Sequence, residues 1–245
     1  MTPEPATFCL GCMQNLHVPI VLRGPFSAPY RLFGVKPSKM NPNTCTICEM
    51  AFSRVMKARA IAIDATVMFA DLRGYTALTQ SIDQPALTSL LDVFYDECAA
   101  AIWRYDGLLN KTIGDAVFAI FNFPVKQTDH PVQAVLAARE IQKRFASRRE
   151  ELLHSIGAGG EDVEIGIGIG IDSGETNFGE FGQTHRDLTA VGTVVNRAAR
   201  AQSAAQSGEI LVTKTVRDRA GTMIEGDGSD HLLKGFRDPV TLFRA

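Results

Sequence analysis

Apolar and polar positions along the chain change character near residue 60. Beyond it, short β-branched runs alternate with amphipathic stretches. Thr66–Leu72 is β-branched and apolar, which predicts a buried strand. Leu87, Leu90, Leu91, Phe94, Cys98, Ala101, Ile102 and Tyr105 recur at three- and four-residue spacing. They predict a helix over Pro85–Tyr105, opened by Asp83 and Pro85. Gly107–Ile113 and Ala116–Phe123 read as two strands joined at Gly114-Asp115, a hairpin signal. Val132, Val135, Leu136, Ile141 and Phe145 predict a second helix over Pro131–Leu153, and the Gly-rich, polar stretch Ser155–Glu161 predicts a loop.

Val163–Ile171 alternates apolar residues with glycine and glutamate, so it predicts a strand with one nearly bare face against which a backbone or ligand packs closely. Thr176–Phe181 is the expected partner strand. Leu188–Val191 reads as a short strand and Val194–Ala205 as an Ala-rich helix. Glu209–Thr213, Lys214–Ala220 and Val240–Arg244 follow as strand, helix and closing strand. Mixed elements around a central hairpin predict an α+β sandwich, with helices covering one face of a largely antiparallel sheet. There is no internal repeat.

Residues 1–60 are built differently. They hold Pro3, Pro5, Pro19, Pro25, Pro29, Pro37 and Pro42, so long regular elements are not expected before a short helix within Thr44–Ala60. They also carry Arg23, Arg31, Lys36, Lys39, Arg54, Lys57 and Arg59 against Glu4 and Glu49, a balance of +5. The net charge of −2 leaves −7 on the remainder. A basic segment can meet phosphate, lipid headgroups or an acidic partner, or simply be a solvated surface. No apolar run reaches the roughly 20 residues of a membrane helix, and no secretory signal opens the chain. A cytoplasmic protein is expected, with nucleic acid not its expected partner.

Four of the five cysteines form two Cys-x-x-Cys pairs, Cys9/Cys12 and Cys45/Cys48, which in a cytosolic chain point to metal rather than disulfide. Four thiolates suit tetrahedral Zn²⁺, and an Fe–S cluster uses the same ligands. His17 is a further candidate ligand. Cys98 lies on the apolar helical face and reads as a core thiol. The segment is too small for a large core, so a metal staple makes physical sense. The expected division is therefore a Cys-rich module over 1–60 followed by one domain over 61–245.

Chemistry concentrates on two aspartates. Asp71 closes the run Val67–Ala70 and is followed by Leu72-Arg73-Gly74-Tyr75-Thr76. Asp115 sits in Asn110-Lys111-Thr112-Ile113-Gly114-Asp115-Ala116. Each alone is an ordinary turn residue. Together, at strand ends, they can hold paired hard cations for displacement at phosphorus. Backbone N–H groups of the Arg73–Thr76 turn could cradle phosphates.

With a third motif, Asp187-Leu188-Thr189-Ala190-Val191-Gly192-Thr193-Val194-Val195-Asn196-Arg197-Ala198-Ala199-Arg200, these segments resemble the class III nucleotide cyclases over about residues 65–245. The resemblance implies a ferredoxin-like antiparallel sheet, the class III cyclase fold. Asp71, Asp115 and the Leu72 carbonyl match ligands of two Mg²⁺ or Mn²⁺ ions. Lys111 and Thr189 match the positions that read the purine. A Lys ammonium only donates, so it suits N1 of adenine and not the N1–H of guanine. Thr189 places the chain with a bacterial Thr-type adenylyl cyclase subgroup, with Asp187 a possible substitute. Asn196 matches the ribose-orienting residue and Arg200 the residue that stabilises the transition state; four apart, they share a helix face. Thr193 departs from the family's usual Asp or Asn, yet can still serve as an N-cap.

The family's active sites are shared across a head-to-tail homodimer. The implied activity is an adenylate cyclase making cyclic AMP and pyrophosphate from ATP. GTP use, or a non-catalytic regulator, are the alternatives. A diguanylate cyclase is disfavoured because its Gly-Gly-Asp/Glu-Glu-Phe signature does not occur.

Overall fold

The computed structural model describes residues 6–56, 60–155, 165–182, 184 and 187–245, with the side chains of 52–56 and 155 left aside. In order these form α1 (Leu10–Leu16), α2 (Ala28–Leu32), α3 (Thr46–Met56), β1 (Ile61–Arg73), α4 (Tyr75–Ser81), α5 (Gln84–Arg104), β2 (Leu108–Ile113), β3 (Ala116–Phe121), α6 (His130–Ser155), β4 (Gly166–Phe181), β5 (Asp187–Val191), α7 (Thr193–Ala204), β6 (Ile210–Thr213), α8 (Lys214–Ala220), β7 (Ser229–His231) and β8 (Val240–Arg244). Residues 156–161 of the expected loop, and the expected strand start at Val163, lie outside the described residues.

One mixed sheet organises the domain, in the order β2-β3-β1-β4-β6-β8-β7, with β5 paired to β4 beside this path. Its pairings are antiparallel except β4 with β6. Side chains on a strand alternate between faces. Met68, Ala70 and Leu72 of β1 therefore join Leu90 and Phe94 of α5 and Ala138 and Ile141 of α6 in the larger core. Ala65 and Val67 face the other way, into a second core with Val194 and Ala198 of α7. Helices α5, α6 and α8 thus follow the expected one-sided cover, and α7 adds a cover on the opposite face. Each fully buried side chain such as Phe94 contributes about 1.5–3 kcal/mol.

Thr176–Phe181 is not a partner strand but the continuation of β4, which runs unbroken from Gly166 to Phe181. Asp172-Ser173-Gly174 has turn composition. Tertiary contacts override it, because the Asp172 carboxylate is buried and accepts from Arg197 Nε at 2.6 Å and Thr213 Oγ1 at 2.6 Å. The bare face of β4 does meet another backbone. A Cβ on Gly170 would collide with backbone atoms of Ala198 and Gln202 in α7.

The N-terminal residues dock on the hairpin edge. Met40 carbonyl accepts from Leu109 N (2.9 Å) and Trp103 Nε1 (2.8 Å). Asn41 Nδ2 donates to the Gly107 carbonyl at 3.2 Å, and Asn43 Nδ2 to Asp106 Oδ1 at 2.6 Å. Gln14 and Asn15 reach the carbonyls of Lys126 and Pro124.

Candidate active site

The two aspartates meet at the end of the sheet. Asp71 lies opposite Ala116 of β3 and Gly168 of β4, and Leu72 N donates to the Asp115 carbonyl at 3.0 Å. Tyr95 of α5 donates to the Gly114 carbonyl, bracing the hairpin turn from outside. Asp71 Oδ2 accepts from Arg73 Nη1 at 3.0 Å and Gln202 Nε2 at 2.9 Å. Burial, and then the charge of Asp115, still push the Asp71 carboxyl above the usual carboxylate range.

Two carboxylates this close suit a hard divalent cation, so Asp71 and Asp115 fit the metal role. Arg73 also binds the Gln202 carbonyl, and its Nε is buried without a hydrogen-bond partner among the described residues. Gly168 makes room for this guanidinium, since a Cβ there would stand 2.5 Å from Arg73 Nε. Gly74 has φ 81 and opens α4 at Tyr75, so the Arg73–Thr76 turn ends in the uncapped N–H groups of a helix start.

Lys111 reaches the opposite face through a bulge. Leu109 pairs with Ala119 but Lys111 pairs with Phe118, which leaves Asn110 as the extra residue. Directly opposed residues share a face. Leu109 therefore packs with the α5/α6 core, whereas Lys111 shares the side of Phe118, in the α7 core. There Lys111 Nζ pairs with the Asp187 carboxylate. Thr189 Oγ1 donates to Asn110 Oδ1 at 3.3 Å, and Asn110 Nδ2 donates to the Leu188 carbonyl at 3.0 Å. The structure thus brings Lys111 and Thr189 together, and gives Asp187 a different partner, the Lys111 ammonium.

Helix α7 turns Val194, Ala198, Ala201 and Gln202 inward, leaving Asn196 and Arg200 together on its exposed face. Arg197 pairs with the buried Asp172. Gly192, not Thr193, takes the N-cap position, and Thr193 becomes the first helical residue.

The four paired cysteines also converge. Their Sγ atoms all lie within 4.8 Å of one another and are buried, with Cys12–Cys48 at 3.1 Å and Cys9–Cys48 and Cys12–Cys45 at 3.5 Å. A tetrahedron with metal–sulfur distances of about 2.3 Å has edges of about 3.8 Å, close to this arrangement. Cys12 N donates to Cys9 Sγ at 3.3 Å in the knuckle. Hydrogen bonds from Cys48 and Cys9 lower the Cys45 pKa and so favour its thiolate, the form that ligates a metal. His17 is exposed at the C-cap of α1, outside this group.

Reading the sequence alone passes over Gln202, Tyr95 and Asn110. Gln202 had a faint signal, being an amide on the otherwise Ala-rich inner face of α7. Asn110 and Tyr95 had none, since a bulge and a turn brace are decided by pairing register.

Among the described residues, no helix is long and apolar enough to cross a membrane. The chain is 35% identical over 188 residues to an uncharacterized protein of Mycobacterium tuberculosis, covering 73% of this chain and 31% of that one. It is 30% identical over 154 residues to an adenylate cyclase of Anabaena cylindrica, covering 62% of this chain and 30% of that one. The chain therefore spans about a third of the length of these relatives. Among solved structures, the adenylyl cyclase CyaB from P. aeruginosa superposes with a TM-score of 0.69 at 30% identity, over 76% of this chain and 95% of that one. Residues 59–232 match the adenylate and guanylate cyclase catalytic domain, and the chain belongs to that family.

Proposed function

We propose that this protein is an adenylate cyclase, converting ATP to 3′,5′-cyclic AMP and pyrophosphate at sites shared by two copies of the chain in the cytoplasm. The observation that carries the reading is the meeting of Asp71 and Asp115 at one sheet end, with the Asp71 carboxyl raised by burial and by its neighbour. Asp71, Asp115 and the Leu72 carbonyl would hold two Mg²⁺ or Mn²⁺ ions. Bound there, the ions would acidify the ribose 3′-hydroxyl and neutralise the triphosphate. Arg73, Gly74, Tyr75 and Thr76 would line the triphosphate. Lys111 donates to adenine N1, and Thr189 Oγ1 accepts from the 6-amino group. Asn196 orients the ribose, and Arg200 stabilises charge on the α-phosphate.

ATP is favoured over GTP because Lys111 has no acceptor to offer the guanine N1–H. A shared site is supported by the exposure of Asn196 and Arg200, side by side on the outer face of α7, where a partner's phosphates can reach them. Zinc is the favoured ion for Cys9, Cys12, Cys45 and Cys48, on the closed four-sulfur geometry. Residues 1–60 would form this metal module and 61–245 the cyclase domain.

The test is cyclic nucleotide formation by purified protein given ATP or GTP with Mg²⁺ or Mn²⁺, beside Asp71→Ala. Metal-dependent cyclic AMP is expected from the wild type, falling at least 100-fold in Asp71→Ala. Cyclic GMP as the main product would refute the assignment to ATP. No cyclic product from a folded dimer would refute the enzyme reading itself.

A further inference from the structure

The cysteine cluster is tied to the residues just before Lys111 by hydrogen bonds joined through short covalent steps. Cys45 follows Thr44, whose N and Oγ1 donate to the Asn41 carbonyl at 2.9 and 2.8 Å. Leu10, next to Cys9, donates its N–H to the Asn43 carbonyl at 2.9 Å. Asn43 N donates to Asn41 Oδ1 at 2.8 Å, so the two asparagines form one turn between the knuckles. From that turn, Asn41 grips the Gly107 carbonyl, Asn43 grips Asp106, and Met40 accepts from Leu109 N. All three contacts fall within the four residues preceding the bulge at Asn110.

Among the described residues, β2 is the outer strand of the sheet, so one side of its ladder has no neighbouring strand to fix it. The Met40 carbonyl takes the outward Leu109 N–H. Register matters here more than elsewhere. The bulge alone carries Lys111 to the face where Asp187 and Thr189 stand. Without it, Lys111 would lie opposite Val117 and point into the α5/α6 core. The same bulged residue, Asn110, holds Thr189 Oγ1 and the Leu188 carbonyl.

The geometry points to the four-cysteine site as a zinc site that sets nucleotide recognition: metal loading rigidifies the Met40–Asn43 turn, which clamps Asp106–Leu109 and holds the bulge that presents Lys111 and Thr189 to the adenine. This rests on the proposed adenine-reading role of those two residues and extends it to their control. Loss of the metal frees the turn, loosens the β2 edge and weakens substrate binding, while Asp71, Asp115, Asn196 and Arg200 stay in place. The effect is a coupling between two separate sites, for which about 5–150-fold is the usual range.

The experiment uses the full chain, zinc-loaded and then stripped by a chelator, beside Asn43→Ala. The variant keeps all four cysteines and removes the links to Asp106 and Ala6. Zinc content, amide hydrogen exchange over 106–111, and KM and kcat for ATP and GTP are measured. One zinc per loaded chain is expected. Stripping should speed exchange at Leu109 and its neighbours at least tenfold, raise the ATP KM about tenfold with a smaller change in kcat, and narrow the preference for ATP. Asn43→Ala should keep its zinc and show the same changes in weaker form. A fully protected 106–111 segment in both the stripped chain and Asn43→Ala would overturn the inference, as would an iron cluster in place of zinc. If the wild type makes no cyclic nucleotide, the adenylate cyclase reading fails; the exchange measurement then decides the metal-to-β2 clamp alone.

Discussion

At the scale of single residues, the site depends on polar groups held away from their ordinary behaviour. His130 shows the physics outside the site. It opens α6, is buried, and shares a hydrogen bond between Nδ1 and Thr66 Oγ1 at 2.7 Å. Its Nε2 lies 3.4 Å from Asp64, which in turn pairs with Arg219 of α8. Burial pushes the His130 pKa below its ordinary 6.5, and Asp64 opposes the shift without cancelling it. The folded state therefore favours the neutral ring. Its contribution is fully present above the unfolded value of 6.5 and is lost as pH falls through 6.5 toward the lower folded value. Urea unfolding between pH 8 and pH 5 should show stability falling on the acid side. His130→Gln should flatten that slope, and an unchanged slope would show that His130 is not its source.

At the scale of elements, α7 must sit against β4 closely enough to bring Gln202 to Asp71 while keeping Arg200 outside. Gly170 permits the approach and Asp172–Arg197 locks it. Gly170→Ala would drive a methyl group into the α7 backbone, and overpacking of this kind costs about 1–3 kcal/mol. The expected result is a lower denaturation midpoint together with reduced cyclase activity, because α7 carries Asn196 and Arg200. Unchanged stability would mean that the helix can move away freely, and that its seat on β4 does not define the site. Gly114 at φ 60 is a contrasting case, where the hairpin turn itself requires the left-handed backbone.

At the scale of the molecule, the proposed shared site divides the catalytic groups between two chains. Asp71 and Asp115 close the end of β1 and the hairpin, and Asn196 and Arg200 look outward from α7. The proposed head-to-tail pairing predicts complementation. Asp71→Ala and Arg200→Ala chains, each inactive alone, should regain activity when mixed, since one of the two sites in the heterodimer keeps both residues. Statistical mixing limits recovery to about a quarter of wild type. A mixture that forms heterodimers but makes no cyclic AMP would sink the shared site.

Much of this was legible in the sequence, and the reasons are local. Periodicity located α5, α6 and α7 to within two residues, and Lys214–Ala220 and Val240–Arg244 at their observed limits, because burial of one face leaves its period in the chain. The family resemblance singled out Asp71, Asp115, Lys111, Thr189, Asn196 and Arg200 as candidates, and spacing singled out the two cysteine knuckles, whose sulfurs converge in the structure. The glycines of β4 announced a close approach. Other features were decided only by tertiary structure. Thr176–Phe181 continues β4 because a buried Asp172 overrides a turn-forming triplet. Lys111 takes the α7 face because a bulge shifts register, and nothing local in Leu109-Asn110-Lys111 encodes a bulge. The contacts of Gln202 with Asp71, of Tyr95 with Gly114, and of Met40 with Leu109 join residues 131, 19 and 69 positions apart. Sequence fixes which groups can donate, accept or ligate. Only the packing of strands and helices decides which of them meet, since register and approach distance are properties of the whole fold.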